Sequence, residues 1–404
     1  MIRDPEERKR QRAEIARRQM EMARKRRKFL LVAVAAVLLI VGLIVVIASC
    51  SAKKKNASKD KDKAPNETTI HLVAGGDLNI TDKVVASGGS NFDYTAAFMD
   101  VAPILAGGDL TVLNFEGTLC SAPYGGEGAS APDSMAVALR NAGVDALQLA
   151  NSFTIKQGVS GLYSTASSVY QAGLTPLGVY TQDNEKSYAV YEIQGIRIAV
   201  VAFTKGVDGD TIPEAGEGCV NLLYTDYNSS YQQVDTKGIT QVLEQVEKEK
   251  PDITVAMLHW GSQDNDKISK TQKEIVAVMQ ANGVDAIIGT HSHRVQQMTL
   301  EDGKFVAYSL GDFFGNADED GHEYSVLLDL EIVKDNDTGA VRIENYSYTP
   351  IFTVAEEGKP LRVVRLETAM EAYEKGYIDR VSQTTYNKMQ YALGRIKSRV
   401  SGEG

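Results

Sequence analysis

The chain has 404 residues, 43% of them hydrophobic and 24% charged, a composition that supports a packed core and excludes a low-complexity or disordered protein. Its formal net charge of −10 is unevenly spread: residues 1–28 hold 12 Lys/Arg against 5 Asp/Glu, a net of +7, which leaves −17 for the remainder. A body that acidic repels phosphate backbones, so no nucleic-acid partner is expected despite the basic arm.

Residues 1–28 combine strong helix formers with mixed charges and read as a cytoplasmic basic arm. Residues 29–49 follow without a single charge, long enough to cross a bilayer as a transmembrane helix. Arg24, Lys25, Arg26, Arg27 and Lys28 abut its start. The positive-inside rule then keeps the N-terminus in the cytoplasm and places the C-terminal domain outside it. Ile47-Ala48-Ser49-Cys50 also fits a lipobox, in which Cys50 would be acylated. Either way the body is tethered to the outer face of the cell membrane. Residues 50–67 are nearly free of apolar side chains and read as a flexible stalk. Beyond Cys50 only Cys120 and Cys219 remain. Their compartment permits a disulfide, and their spacing does not require one.

The globular body, residues 68–355, opens with a strand over Thr69–Asp77. Strand-like runs follow at Leu110–Phe115, Ala146–Ala150, Ala189–Glu192, Ile196–Phe203, Ile253–His259, Ala286–Gly289 and Phe305–Leu310. Helix-like stretches at Asp133–Ala142, Ser160–Ala172, Gly238–Lys250 and Lys270–Ala281 lie between several of them. That alternation implies βαβ units and a largely parallel sheet. Ser325–Val333 and Val341–Ser347 alternate apolar and polar residues and read as an antiparallel pair. Residues 356–404 read as a C-terminal helical extension, with 363–398 helical in pattern.

Three of the five histidines end strand-like runs: His259 closes one, and His291 and His293 close another as His-x-His. In open α/β sheets ligands bind beyond the carboxyl ends of the strands. Imidazoles delivered there are placed like the ligands of a metal site, whereas a lone histidine would read as a packed core residue. In chain order the polar strand ends are Gly76-Asp77, Asn114-Phe115-Glu116-Gly117, Ala150-Asn151-Ser152, His259-Trp260-Gly261, Gly289-Thr290-His291-Ser292-His293 and Tyr308-Ser309-Leu310-Gly311-Asp312-Phe313.

These segments, covering residues 70–315, resemble those of the bacterial poly-γ-glutamate capsule biosynthesis proteins, the CapA or PGA_cap family, relatives of the calcineurin-like metallophosphoesterases. Asn141-Ala142-Gly143-Val144-Asp145 and the later Gly158 and Gly161-Leu162 fit the same pattern. The resemblance implies an α/β fold, a four-layer α/β/β/α sandwich of metallophosphoesterase type, preceded here by one transmembrane helix. It implies one or two divalent metal ions at the strand ends, with manganese, zinc and iron all suited to the donors. It makes Asp77 a ligand of the first metal and Glu116 the bridging carboxylate. His259 and His291 become ligands of the second metal, and His293 the remaining ligand of the first.

The departures carry equal weight. The family's third motif reads Ala-Asn-Asn-His with an Asp three residues on, where this chain has Ser152, Phe153 and Lys156 in place of the second Asn, the His and the Asp. Asn79 stands where the wider superfamily often has His, and Asp312 where the capsule family usually has Asn. Phenylalanine cannot transfer a proton or donate a hydrogen bond, and loss of one acid/base group costs about 10²–10⁴ in rate. Two functions therefore compete. One is a metal-dependent hydrolase or transferase acting on an anionic cell-surface polymer or its precursor. The other is a non-catalytic protein that binds such a polymer or assembles envelope machinery. Asn151, Lys156 and Arg294 are the expected substrate contacts, the two cations offsetting the acidic body, and no catalytic residue is assigned.

Overall fold

The computed structural model describes residues 66–181, 186–315, 317–377 and 381–403. The basic arm, the expected transmembrane span at 29–49 and nearly all of the stalk lie outside the described residues. Among the described residues no helix is long and apolar enough to cross a membrane. Residues 65–404 form one compact unit.

That unit is a mixed α/β structure with two sheets. The first contains β1 (Glu67–Asn79), β2 (Leu110–Glu116), β3 (Ala146–Gln148), β4 (Thr175–Leu177), β11 (Asp312–Phe314), β12 (Tyr324–Asp335), β13 (Val341–Val354) and β14 (Arg362–Arg365). Its order is β14-β13-β12-β1-β2-β3-β4, with β11 also paired to β1. The second contains β5 (Tyr188–Ile193), β6 (Ile196–Thr204), β7 (Ile253–His259), β8 (Ala286–Thr290), β9 (Met298–Glu301) and β10 (Lys304–Ala307), in the order β5-β6-β7-β8-β10-β9. Parallel pairing holds from β1 to β4 and from β6 through β8 to β10, and the flanking strands are antiparallel. Strand and helix alternation leads one to expect a largely parallel central sheet, and the family resemblance a sandwich of two sheets; two sheets are present. The chain divides its strands between two sheets because each presents an apolar face to the same core.

Strand periodicity shows this directly. Ile198, Val200 and Ala202 of β6 join Val255 and Met257 of β7 in one apolar cluster with Leu72, Val112 and Leu147 of the first sheet. Their neighbours Ala199, Val201 and Phe203 point the other way, into a second cluster with Ile239, Leu243, Ile275 and Met279. Those last four belong to helices Thr236–Lys248 and Lys270–Ala281, which cover the outer face of the second sheet. The latter helix starts at a capping box between Ser269 and Gln272, satisfying two otherwise orphaned backbone donors.

The C-terminal segment differs from its helical pattern. Arg362–Arg365 is a strand that pairs with β13, followed by helices Leu366–Glu374 and Gln383–Ser401. Four residues are too few for a period to show. Leu366, Met389, Ala392 and Ile396 sit in the main apolar cluster, so these helices share the core of the body.

β1 carries the feature that places the site. It pairs antiparallel with β12 up to Ala74 and parallel with β11 from Asp77. The switch falls at Gly75-Gly76, and a side chain at Gly76 would put its Cβ 1.8 Å from the Gly311 carbonyl oxygen. Only glycine allows that approach. It sets Asp77 opposite both Asn114 of β2 and Asp312 of β11.

Candidate metal centre

The carboxyl ends of β1, β2, β7 and β8 converge, and Asp77, Glu116, His259, His291 and His293 come together there, all buried. Ligand atoms of Glu116, His259 and His291 lie within 4.8 Å of one another, as do those of Asp77, Glu116 and His293. Glu116 is common to both groups. A third group, His293, Asp312 and His322, adjoins them.

The backbone is strained where the imidazoles enter. His291 has φ 87° and His293 has φ 56°. Non-glycine residues held there cost about 1–3 kcal/mol each, and such conformations cluster at functional sites. The backbone N–H of His291 donates to Asp77 Oδ2 at 2.9 Å, which fixes the turn against β1.

The side-chain network orients the donors. His259 Nε2 lies 3.3 Å from Glu116 Oε1 and 3.0 Å from Ser152 Oγ, while its Nδ1 lies 3.1 Å from Thr290 Oγ1. Asn114 Nδ2 donates to Asp77 Oδ1 at 2.5 Å. Asn151 Nδ2 donates to Asn114 Oδ1 at 3.1 Å and to the Phe115 carbonyl at 2.6 Å. On the other side His293 Nδ1 lies 2.7 Å from Asp312 Oδ1 and 3.6 Å from Asp77 Oδ2. His322 Nδ1 lies 3.1 Å from Asp312 Oδ2, and its Nε2 lies 2.7 Å from Asp264 Oδ1. Asn79 Nδ2 donates to Asp312 Oδ2 at 3.1 Å.

Burial and crowded charge shift the titrations. Burial, reinforced by Glu116, raises Asp77 from 3.8 to about 8, and burial raises Glu116 from 4.5 to about 7. Burial holds His259 and His291 well below the usual imidazole range, with nearby Lys205 acting in the same direction. Burial alone would also lower His293, but the Asp312 carboxylate outweighs it and holds this imidazole well above its ordinary value.

Within this cluster, buried Glu116 Oε2 and His291 Nδ1 have no hydrogen-bond partner among the described residues. Buried polar atoms are nearly always paired, so these two mark a position for an absent electrophile. A mixed carboxylate and imidazole donor set, with two inward-facing orphan atoms, fits a divalent transition metal. Glu116, His259 and His291 could hold one ion, and Asp77, Glu116 and His293 a second.

The expected substrate contacts fare differently. Asn151 is buried and spent on Asn114, Phe115 and the Phe153 backbone N–H, so it positions Asn114 rather than facing a ligand. Lys156 is paired with Asp208 at 2.9 Å. Arg294 is paired with Asp264 at 3.0 Å and also donates to the Asp320 carbonyl. An acidic surface captures its own cations before a ligand can. Cys120 and Cys219 are both free thiols.

His322 escaped the strand-end reading because it follows no strand: it lies on the loop between β11 and β12. Asp312 stood out only as a departure from the capsule pattern. Lys205 was missed although a signal existed, since it directly follows the apolar run of β6.

The family model for bacterial capsule synthesis proteins, PGA_cap, matches residues 71–317. Capsule biosynthesis protein CapA of Bacillus anthracis is 24% identical over 250 residues, covering 60% of this chain and 58% of that protein. PGA biosynthesis protein CapA of Bacillus subtilis (strain 168) is 25% identical over 215 residues, covering 53% of this chain and 52% of that protein. The chain thus spans little more than half the length of these relatives. Among solved structures, the calcineurin-like phosphoesterase YfkN of Bacillus subtilis aligns with a TM-score of 0.43 at 14% identity, over 81% of this chain and 100% of that one. A phosphatase from Mycoplasma pneumoniae aligns with a TM-score of 0.42 at 12% identity, over 70% of this chain and 94% of that one.

Proposed function

Since the chain belongs to the bacterial capsule synthesis protein PGA_cap family, we propose that it works in capsule or envelope polymer biosynthesis as a metal-dependent hydrolase or transferase. Its substrate on this reading is an anionic polymer such as poly-γ-glutamate, or a precursor of one. The uncharged span at 29–49 anchors it in the membrane, with the body outside the cytoplasm.

The observation that carries this reading is the shared carboxylate: Glu116 joins two groups of ligand atoms and keeps one buried oxygen unpaired. A divalent ion bound there would polarise a substrate oxygen and lower the pKa of a bound water. The chain's own residues orient the donors. Asn114 fixes Asp77, Asn151 fixes Asn114, and Thr290 fixes the tilt of the His259 ring.

Elemental analysis of the full-length protein tests the reading, together with thermal shift in Mn²⁺ or Zn²⁺. Metal that binds only the folded state stabilises it by about 2.7 kcal/mol at a hundredfold excess over its dissociation constant. His291→Ala should blunt that rise. Absence of both bound metal and a thermal shift would sink the proposal.

One observation favours a second reading, binding without turnover. Phe153 occupies the family's histidine position and Ser152 its amide position, so a proton donor and a ligand are lost together. Restoring Ser152→Asn, Phe153→His and Lys156→Asp together discriminates the two. If the native protein is inert toward phosphoesters and the triple variant gains metal-dependent activity, the binding reading stands. Native turnover on the order of 1–10³ s⁻¹ would exclude it.

A further inference from the structure

The cleft above the metal ligands has a volume of about 370 Å³ and is lined by Ser152, Lys205, Tyr231, Ser262, Gln263 and His291, among others. Lys205 is the first residue after β6, and its backbone N–H donates to the His259 carbonyl at 2.7 Å. Strand pairing therefore seats it directly beside a metal-ligand candidate. Its Nζ donates to the Gly261 carbonyl at 2.7 Å and lies 4.3 Å from the centroid of the Tyr231 ring. The carbonyl takes one of three ammonium donors.

Lys205 differs from the other cations near the cleft. Lys156 and Arg294 each have a carboxylate partner, whereas Lys205 forms no ion pair among the described residues. The carboxylate lining the cleft, Asp208, is already held by Lys156. A half-buried cation without a counter-charge, next to imidazoles that would carry a dication, is electrostatically unfavourable in isolation. An anion in the cleft removes that penalty for both.

We propose that Lys205 is the oxyanion-binding cation of this cleft, gripping a phosphoryl or carboxylate group of the ligand beside the metal donors. It compensates for Phe153, which offers an anion nothing. The inference rests on the reading of this cleft as the working site and holds for either turnover or binding. The serine hydroxyls and the Gln263 amide supply further donors around the same space.

The test is calorimetric titration of the full-length protein in detergent with inorganic phosphate and, separately, glutarate, each with and without Mn²⁺. Lys205→Gln removes the charge while keeping much of the stem. It should weaken binding by about tenfold or more, the size of a lost charged hydrogen bond. Lys205→Arg keeps the charge and should recover most of the affinity, which a merely structural role would not produce. Stronger Lys205-dependent binding of phosphate than of glutarate marks a phosphoryl ligand, and the reverse marks a carboxylate. Identical isotherms for the native protein and Lys205→Gln overturn the inference, as does failure of the native protein to bind either anion. Metal content measured on the same samples keeps the two ideas separate. A protein that neither carries metal nor gains thermal stability with Mn²⁺ defeats the metal reading, while the ratio of native to Lys205→Gln affinity still decides the lysine.

Discussion

The two flanks of the centre are built from similar donors in opposite electrical states. On the Glu116, His259 and His291 flank, both imidazoles are held neutral by burial, and an oxygen of Glu116 and a nitrogen of His291 are left unpaired. On the His293, Asp312 and His322 flank, carboxylate and imidazoles already satisfy one another, and Asp312 raises the pKa of both His293 and His322 against the lowering effect of burial. The difference teaches how a metal-poor state is tolerated. One flank is held open for an electrophile, while the other closes on itself as a buried ion-pair network. A cation entering the second flank must displace protons before it binds.

Glu116→Gln breaks the comparison outright, because this residue belongs both to the Glu116, His259 and His291 group and to the Asp77, Glu116 and His293 group that reaches the other flank through His293. Removing an orienting partner of a ligand already costs about 10–100-fold in metal affinity, so loss of the shared donor should exceed 100-fold. Elemental analysis should find both ions gone. Retention of one ion at native affinity would show that the flanks are independent.

His322→Ala sharpens the contrast. It strips Asp312 and Asp264 of a shared partner on one flank only. Affinity for one ion should fall about tenfold while the other is unchanged, as expected for a residue that holds a ligand in place. Titration with Mn²⁺, monitored by its electron paramagnetic resonance, separates the two events. An equal fall at both sites would count against two distinct flanks.

The smallest effect expected is in the pH dependence of the metal-free protein. Asp77, raised to about 8, and Glu116, raised to about 7, bind protons more tightly folded than unfolded. Their contribution is complete below the unfolded values near 4 and is lost as pH rises through the folded ones. His293, also raised, acts in the same direction. His259 and His291, lowered, destabilise only below about pH 6.5, where the unfolded imidazoles take up protons. Between pH 6.5 and 8 the melting temperature of the metal-free protein should therefore fall. With metal present it should hold or rise, because deprotonated donors bind the ion. A metal-free melting temperature that climbs through this interval would contradict the raised carboxylates.

Much of the fold was legible because its strands and helices obey clear periods. β2, β6, β7 and β8, and the helices Ser134–Ala142 and Lys270–Ala281, lie close to where the apolar pattern puts them. β11 and β14 were not legible, being three and four residues long and dependent on partners far away in the chain. The same holds at the centre. His259, His291 and His293 could be read from strand ends, whereas His322 reaches Asp312 and Asp264 only through the closing of a loop.

The sequence by itself determined which candidate donors stand at strand ends, Asp77, Glu116, His259, His291 and His293, and the packing of the two sheets against each other brings those ends together. It also recorded the loss at Ser152 and Phe153, since a missing functional group needs no coordinates to be seen. Only the tertiary structure decided which charges remain available. Lys156, Arg294 and Lys205 look equivalent as letters, yet Asp208 and Asp264 neutralise the first two and no carboxylate among the described residues pairs with the third. An ion pair forms over a few ångströms, and which carboxylate stands at that distance is set by loops distant in sequence.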